Sequence, residues 1–204
     1  VAVKLYEFIW NEFCDWYLEF TKSIFRGEFT QKQKDATAWN LVDVLETTMR
    51  LAHPVMPFIT EVIWKITAPM LGRMHTDTVM AAAYPDGEDY SLDKEAEDAV
   101  AWLKDFAQTV RNLRAEMKVG PSVKLSPMLR GASEVEETYS EKYFAYLENL
   151  ANIEKIAFVK VGDQVPPCSV KPLRTAEVLI PMKDLVNKDA EIKRLSGMAQ
   201  KLQG

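Results

Sequence analysis

Two stretches of the sequence decide its fold, Asn11-Glu-Phe-Cys-Asp-Trp-Tyr-Leu-Glu19 and Leu51-Ala-His-Pro-Val-Met-Pro-Phe-Ile-Thr-Glu-Val-Ile-Trp64. In both, apolar residues recur at intervals of three and four, which is typical of helices with one buried face. The same spacing continues on either side of each stretch. The sequence therefore predicts a mainly α-helical fold.

The first stretch belongs to one long predicted helix that runs from about Lys4 to Phe25 and ends at Gly27. Its apolar face is predicted to point into the core. That face consists of Tyr6, Trp10, Phe13, Tyr17, Phe20 and Ile24.

A second helix is predicted to follow Thr30, because Thr30 and Gln33 have the spacing of a capping box. Pro54 cannot continue that helix, whereas Pro57 suits the first turn of a third helix that runs to about Ala68. The predicted core face of the second helix is formed by Trp39, Val42, Leu45, Met49 and Ala52.

A fourth helix is predicted before Gly120-Pro121, which stops it. Its apolar face comprises Val100, Leu103, Ala107, Val110, Leu113 and Met117. Together the four helices predict an antiparallel helical bundle over residues 1–121.

The pattern changes after Pro121. Short β-branched and aliphatic runs at 123–125, 156–161 and 178–180, with one helical stretch at 134–151, predict a small α+β subdomain over residues 122–186. From Asn187, the spacing of Ile192, Leu195, Ala199 and Leu202 predicts the start of a C-terminal coiled-coil helix over residues 187–204.

Composition narrows the class of protein. With 48% hydrophobic and 27% charged residues among 204, the chain is typical of soluble globular proteins, and it contains no apolar run long enough to span a membrane. Cys14 and Cys168 are far apart, and neither belongs to a zinc or disulfide pattern, which fits the cytoplasm. We expect His53 and His75 to be structural or solvated rather than metal ligands.

The helical pattern is already under way at both ends of the sequence. We therefore expect the chain to be a piece of a longer protein.

The polar face of the first helix is the first candidate binding surface. On a helical wheel it holds Lys4, Glu7, Asn11, Asp15, Glu19 and Lys22, and it is interrupted by Phe8 and Leu18. An apolar side chain among hydrogen-bonding groups can pack on an unstacked RNA base while its neighbours contact the base edge and phosphates. The alternative is that both apolar residues are ordinary surface residues or are covered by a neighbouring helix.

A basic stripe on the fourth helix is the second candidate. Lys104, Arg111 and Lys118 are spaced at seven-residue intervals, and Arg114 lies beside them. Such a stripe predicts contacts to phosphates. We expect Glu116 to neutralise part of its positive charge. The alternative is a solvated helix face. The formal net charge of −5 neither supports nor excludes a nucleic-acid partner.

The two opening stretches resemble the segment that follows the catalytic core of valyl-tRNA synthetases, where that family shows N-E-F-C-D-W-Y-L-E and L-H-P-x-M-P-F-I-T-E-x-I-W. Similarly, Val110-Arg-Asn-Leu-Arg-Ala-Glu-Met-Lys-Val119 resembles the family's V-R-x-x-R-x-E segment. The resemblance is strongest over residues 1–68, clear over 108–121 and looser from 122 onward. Residues 179–187 lack the glycine of the family's P-L-x-G-L-I-D.

The resemblance implies an anticodon-binding region of class I type whose partner is a valine-accepting tRNA. It implies that Leu18 and Glu19 help to contact the anticodon loop. Taken together with the polar face of the first helix and the basic stripe, the resemblance predicts these RNA-binding residues: Phe8, Asn11, Leu18, Glu19, Lys22, Arg111, Arg114 and Lys118. The family's N-K-x-W-N-A-x-R-F helix, which forms part of the anticodon pocket, is not in this sequence.

No catalytic residue is predicted, because the family's H-I-G-H and K-M-S-K-S motifs are absent. The resemblance implies that the parent enzyme joins valine to its tRNA with ATP and Mg²⁺, that it is cytoplasmic, and that it has no membrane partner; we expect a monomer. Two alternatives stay open: the same region of an isoleucyl- or leucyl-type synthetase, and a helical protein-interaction scaffold without an RNA role.

Overall fold

The structure is a computed structural model that describes residues 2–182, apart from the side chain of Asp89. The predicted coiled-coil helix over residues 187–204 lies outside the described residues. The chain divides into two compact units, an N-terminal unit of residues 2–95 and a C-terminal unit of residues 96–182. This division falls earlier than the predicted boundary after residue 121, so the fourth helix belongs with the sheet rather than with the first three helices.

The N-terminal unit is helical. Its first helix is continuous but changes type along its length: α1 (Ala2–Glu7), a π-helical segment (Phe8–Tyr17) and α2 (Leu18–Arg26). It is followed by α3 (Gln31–Ala52), by α4 (Pro57–Met70), and by two short 3₁₀ turns at Val79–Ala81 and Gly87–Asp89. Helix α3 packs against α2 and α4.

Local sequence signals set these helix ends. The Thr30 hydroxyl accepts a hydrogen bond from the Gln33 backbone N–H at 3.4 Å, and the Gln33 side chain accepts one from the Thr30 N–H at 3.0 Å, so the predicted capping box is confirmed. Pro57 occupies the first turn of α4, as predicted. At the end of α2, a Cβ on Gly27 would lie 2.7 Å from the Ser23 carbonyl oxygen, which explains why the chain has glycine there.

The core of the N-terminal unit is small and contains a buried charge. Met49, Trp64, Ala68 and Val79 form a cluster against which Leu45, Ile63 and Ala82 pack. The Glu46 carboxylate lies beside this cluster and accepts hydrogen bonds from the Trp64 indole N–H at 2.8 Å and from the Arg50 guanidinium at 2.9 Å. Glu46 therefore ties α3 to α4 from inside the protein.

The C-terminal unit combines helices with a small sheet. It contains α5 (Lys94–Glu116), β1 (Met128–Arg130), α6 (Glu134–Lys142), α7 (Phe144–Ala151), β2 (Ala157–Val159), β3 (Cys168–Leu173) and β4 (Ala176–Pro181). The strand order is β2-β1-β4-β3, with β1 parallel to β2 and antiparallel to β4, and with β3 and β4 forming a hairpin.

The predicted small sheet is confirmed, but the elements around it differ in detail from the prediction. The first strand lies at β1 rather than at 123–125, where Leu125 forms only an isolated bridge with Ile153. The helix predicted over 134–151 is broken at Tyr143 into α6 and α7. Strand β3 was not predicted, because the chain around it carries prolines that usually mark loops.

The C-terminal unit has the larger core. Helix α5 buries one face, including Trp102, Phe106 and Val110, and β4 buries Val178, Leu179 and Ile180. The Glu136 carboxylate is buried as well and accepts hydrogen bonds from the Trp102 indole, the Ser133 N–H and the Thr175 hydroxyl. Within residues 2–182, no helix is both long and apolar enough to cross a membrane.

Candidate nucleic-acid interface

The first helix carries most of the predicted RNA-binding residues, and its middle is not an α-helix. The Leu18 backbone N–H donates to the carbonyl of Phe13, five residues back, which is the hydrogen bond of a π-helix. A wheel drawn at 3.6 residues per turn therefore misplaces side chains here. Tyr6 and Trp10, predicted as core, are 64% and 56% exposed and stack on each other with ring centroids 6.4 Å apart.

The predicted RNA-binding residues of this helix differ in exposure. Phe8, at 39% exposure, and Asn11 lie on the surface of the π-helical segment, and Lys22 is exposed on α2. Leu18 and Glu19 are half-buried at the start of α2. The structure brings Glu19 and Lys22 into an ion pair with 2.5 Å between Oε1 and Nζ. Leu18 thus presents part of its side chain next to a carboxylate and an ammonium group.

The predicted basic stripe on α5 does not form one solvent-facing row. The Arg111 guanidinium donates to the carbonyl of Leu150 at 2.9 Å, and Arg114 donates to the carbonyls of Ala151 and Asn152 at 3.1 and 3.0 Å. These carbonyls belong to the last turn and the C-cap of α7. Unpaired carbonyls at a helix C-terminus favour cationic donors, so these two arginines hold α7 against α5.

Arg114 also fixes the loop that follows α5. Its guanidinium donates to the carbonyls of Gly120 at 3.1 Å and Val123 at 2.6 Å, which gives four hydrogen bonds in all. Burial lowers the pKa of the Arg114 guanidinium. The Arg114 guanidinium therefore directs four hydrogen bonds at backbone carbonyls, which supports a structural role for this residue.

The other members of the stripe also depart from the prediction. Helix α5 ends at Glu116, so Lys118 lies beyond it, with a φ of 54° and an exposed side chain. Lys104 is half-buried. Glu116, which we expected to neutralise the stripe, instead pairs with Lys171 of β3 at 2.5 Å.

A cavity of about 460 Å³ in the N-terminal unit, lined by charged and apolar side chains, had no signal in the sequence. Glu46, Arg50, Trp64, Arg73 and His75 are among its lining residues. Arg73 pairs with Asp43, lies 3.5 Å from the Glu46 carboxylate, and places its guanidinium 5.5 Å from the centre of the Trp39 ring. The carboxylates of Asp43 and Glu46 balance the charges of Arg50 and Arg73, so these four side chains carry no net charge that would attract a charged ligand. Arg73 and Asp43 are 30 residues apart, so their pairing could not be predicted from the sequence.

The structure places His53 at a helix junction and leaves both cysteines without a disulfide. The His53 ring nitrogen Nδ1 is 2.8 Å from the Thr60 hydroxyl, so His53 joins the end of α3 to α4. Cys14 and Cys168 are free and half-buried. In the described part of the chain, no group of three or more His, Cys, Asp and Glu side chains is arranged to hold a metal ion.

Comparison with known proteins identifies the class. The chain belongs to the family of anticodon-binding domains of tRNA ligases, whose family model matches residues 1–129. That match extends across the division between the two compact units.

The chain is also similar along its length to particular ligases. It is 38% identical to a valine–tRNA ligase of Psychrobacter arcticus over 205 residues, covering 100% of this chain and 21% of the relative. It is 38% identical to a valine–tRNA ligase of Acinetobacter baylyi over 203 residues, covering 99% of this chain and 21% of the relative. The chain thus spans about a fifth of these curated relatives and matches their C-terminal, anticodon-binding part. The predicted resemblance to valyl-tRNA synthetases is confirmed.

Proposed function

We propose that this chain is the part of a valine–tRNA ligase that binds the anticodon arm of a valine-accepting tRNA. The observation that carries the proposal is the match of residues 1–129 to anticodon-binding domains, together with similarity to valine–tRNA ligases along the chain. The parent ligase would join valine to tRNA in the cytoplasm with ATP and Mg²⁺. The chemistry would lie outside residues 1–204.

The first helix is the proposed RNA surface. Leu18 offers part of an apolar side chain to a base that has left its stack, while Glu19, Lys22 and Asn11 supply hydrogen-bonding groups around it. Phe8 adds an exposed aromatic ring, on which any base can stack. An apolar contact bordered by a carboxylate and an ammonium group suits recognition of a base edge better than attachment to the phosphate backbone alone.

The electrostatic part of the interface is proposed to be smaller than the sequence predicted. Lys22 and Lys118 are exposed and can reach phosphates. Arg111 and Arg114 donate to the carbonyls at the end of α7, so their effect on tRNA would be indirect, through the position of the loop that carries Lys118. Two lysine contacts give a modest salt dependence rather than a steep one.

Leu18→Ala in the full-length ligase tests the proposal. Loss of a partly buried aliphatic contact should weaken apparent affinity for valine tRNA by about five- to thirtyfold. Valine activation, measured by pyrophosphate exchange without tRNA, should not change, because the residue is outside the chemistry. Leu92→Ala is the matched control, since Leu92 is 88% exposed in the same unit.

The possible outcomes separate the alternatives. Unchanged aminoacylation kinetics for Leu18→Ala would show that Leu18 is an ordinary surface residue. If Leu18→Ala lowers the free energy of unfolding by as much as it lowers the free energy of tRNA binding, Leu18 is a core residue. Comparison of valine, isoleucine and leucine tRNAs with the wild-type ligase tests specificity, and failure to bind any tRNA would favour a protein-interaction scaffold.

A further inference from the structure

Trp39 is a large aromatic residue that the fold leaves half exposed. The sequence predicts it on the core face of α3, yet it is 48% exposed. Tryptophan is highly buried on average in globular proteins. Exposure alone does not distinguish Trp39, because Phe58 on α4 is 88% exposed. The side chains around Trp39 distinguish it.

The ring of Trp39 is held by a guanidinium group that is itself fixed. The central carbon of the Arg73 guanidinium lies 5.5 Å from the centre of the Trp39 ring, within the range of a cation–π contact. Arg73 pairs with Asp43 and lies 3.5 Å from the Glu46 carboxylate. Because these carboxylates fix the guanidinium, the ring is already oriented before a partner arrives. Stacking on such a ring costs little conformational entropy.

Trp39 lies on a face of α3 that adjoins the proposed RNA surface. Asp43 follows Trp39 by one helical turn, so the two share that face. Helix α3 packs against α2, and burial, together with the nearby charge of Asp43, raises the pKa of Tyr17. Tyr17 immediately precedes Leu18 in the first helix. The contacts of Trp39 therefore lead back to the residues proposed to contact RNA.

The charges beside Trp39 suit an uncharged ring rather than a phosphate. The carboxylates of Asp43 and Glu46 balance the guanidinium groups of Arg73 and Arg50, which leaves no net charge for a phosphate to approach. A nucleobase is an uncharged aromatic ring, and it stacks on exposed aromatic side chains whatever its sequence. The family of this chain binds anticodons, and RNA loops offer unstacked bases of this kind.

We propose that Trp39 is a stacking platform for one unpaired base of the bound tRNA, beside the contacts made by the first helix. This inference rests on the proposed function and adds a second helix to its RNA surface. The face of an aromatic ring does not read the edge of a base. Trp39 therefore contributes affinity for tRNA without selecting its sequence, whereas Leu18 and its polar neighbours contact a base edge.

Substitution of Trp39 in the full-length ligase tests the platform. Trp39→Ala should weaken binding by about five- to 150-fold, and by the same factor for valine tRNA and a non-cognate tRNA. Trp39→Phe keeps an aromatic ring and should recover most of the loss, whereas Trp39→Leu should not. Phe58→Ala is the matched control, because Phe58 is a more exposed aromatic residue of the same unit, and it should leave binding unchanged.

Ultraviolet crosslinking of the wild-type ligase to valine tRNA tests the same contact without a substitution. A stacked base should crosslink to the tryptic peptide of residues 35–50, in which Trp39 is the one aromatic residue. The next tryptic peptide, residues 51–65, carries Phe58 and Trp64 and should stay free of RNA. Mass spectrometry identifies both peptides, and the crosslinked nucleotide names the base.

The outcomes separate this inference from the proposed function. Wild-type affinity in Trp39→Ala, or crosslinks that avoid residues 35–50, would overturn the platform while tRNA binding by the wild type leaves the proposed function standing. Equal losses in Trp39→Phe and Trp39→Ala, with a lower urea midpoint in both, would make Trp39 a support for Arg73 and overturn the platform as well. Failure of the wild-type ligase to bind valine tRNA would refute the proposed function and the platform together.

Discussion

Replacing Arg114 distinguishes a structural arginine from a phosphate contact. The Arg114 guanidinium, on α5, joins two pieces of the C-terminal unit: the loop after α5, through Gly120 and Val123, and the end of α7, through Ala151 and Asn152. Arg114→Ala removes all four hydrogen bonds and leaves the α7 carbonyls partly buried without their donors. We therefore expect it to destabilise the C-terminal unit.

The expected size follows from the geometry. Hydrogen bonds from a charged donor contribute about 1.5–3 kcal/mol each when buried, and much less when water can replace the donor. The bonds to Ala151 and Asn152 are partly buried, whereas those to Gly120 and Val123 are exposed. The free energy of unfolding of the C-terminal unit should fall by about 2–4 kcal/mol.

Hydrogen exchange measured by mass spectrometry is the assay, because it locates the loss. Peptides that cover residues 118–126 and 147–154 should lose protection in Arg114→Ala, whereas peptides from α3 and α4 should not change. Arg114→Lys is the critical comparison. Lysine keeps the charge but cannot donate in four directions from a planar group, so it should restore little of the lost stability.

A phosphate contact gives the opposite pattern. It tolerates lysine, leaves exchange unchanged, and lowers the slope of log K against log salt for tRNA by about 0.7–0.9. Lys118→Ala is the matched control, since Lys118 is exposed beyond the helix end and should affect only the salt slope. If Arg114→Ala shifts the unfolding free energy by less than about 0.5 kcal/mol, the range of an ordinary surface substitution, the structural role is refuted.

Three further predictions concern stability. Burial alone would raise the pKa of Glu136, but hydrogen bonds from Ser133, Trp102 and Thr175 outweigh burial and hold that pKa below its usual value. The stability that these bonds contribute is therefore present above about pH 4.3 and is lost as the pH falls below it. In urea unfolding, Glu136→Gln should therefore show a weaker dependence of the unfolding free energy on pH. Gly27→Ala should lower the melting temperature of the N-terminal unit, because its Cβ would meet a backbone oxygen at 2.7 Å. Trp64→Phe removes the indole donor to Glu46 and should cost about 1–3 kcal/mol in urea unfolding.

Signals that act within a few residues predicted the structure well. The capping box at Thr30 and the proline at the start of α4 each specify a helix end through residues three or fewer positions apart. Such signals depend on backbone geometry that the rest of the protein does not change. The starts of α3 and α4 could therefore be predicted from the sequence.

Side-chain direction could not be predicted so well, because it depends on helix type and on distant partners. The π-helical segment Phe8–Tyr17 departs from an ideal wheel, and no residue in it marks the change. The guanidinium of Arg114 donates to carbonyls 37 and 38 residues away along the chain. Nothing in the sequence indicates these partners, so Arg114 was predicted to contact phosphates. Pro172 argues against a strand in the sequence, so β3 was not predicted. The strand tolerates this proline because it lies at the edge of the sheet.

The uneven distribution of buried residues decides where each experiment has to be done. The C-terminal unit closes its own core around Trp102, Leu129 and Leu179, so the effects of Arg114 and Glu136 on stability can be measured in the 204-residue chain. The N-terminal unit holds the proposed RNA surface and has the smaller core. The affinity effects of Leu18 concern the proposed function of the whole enzyme, so they have to be measured in the full-length ligase.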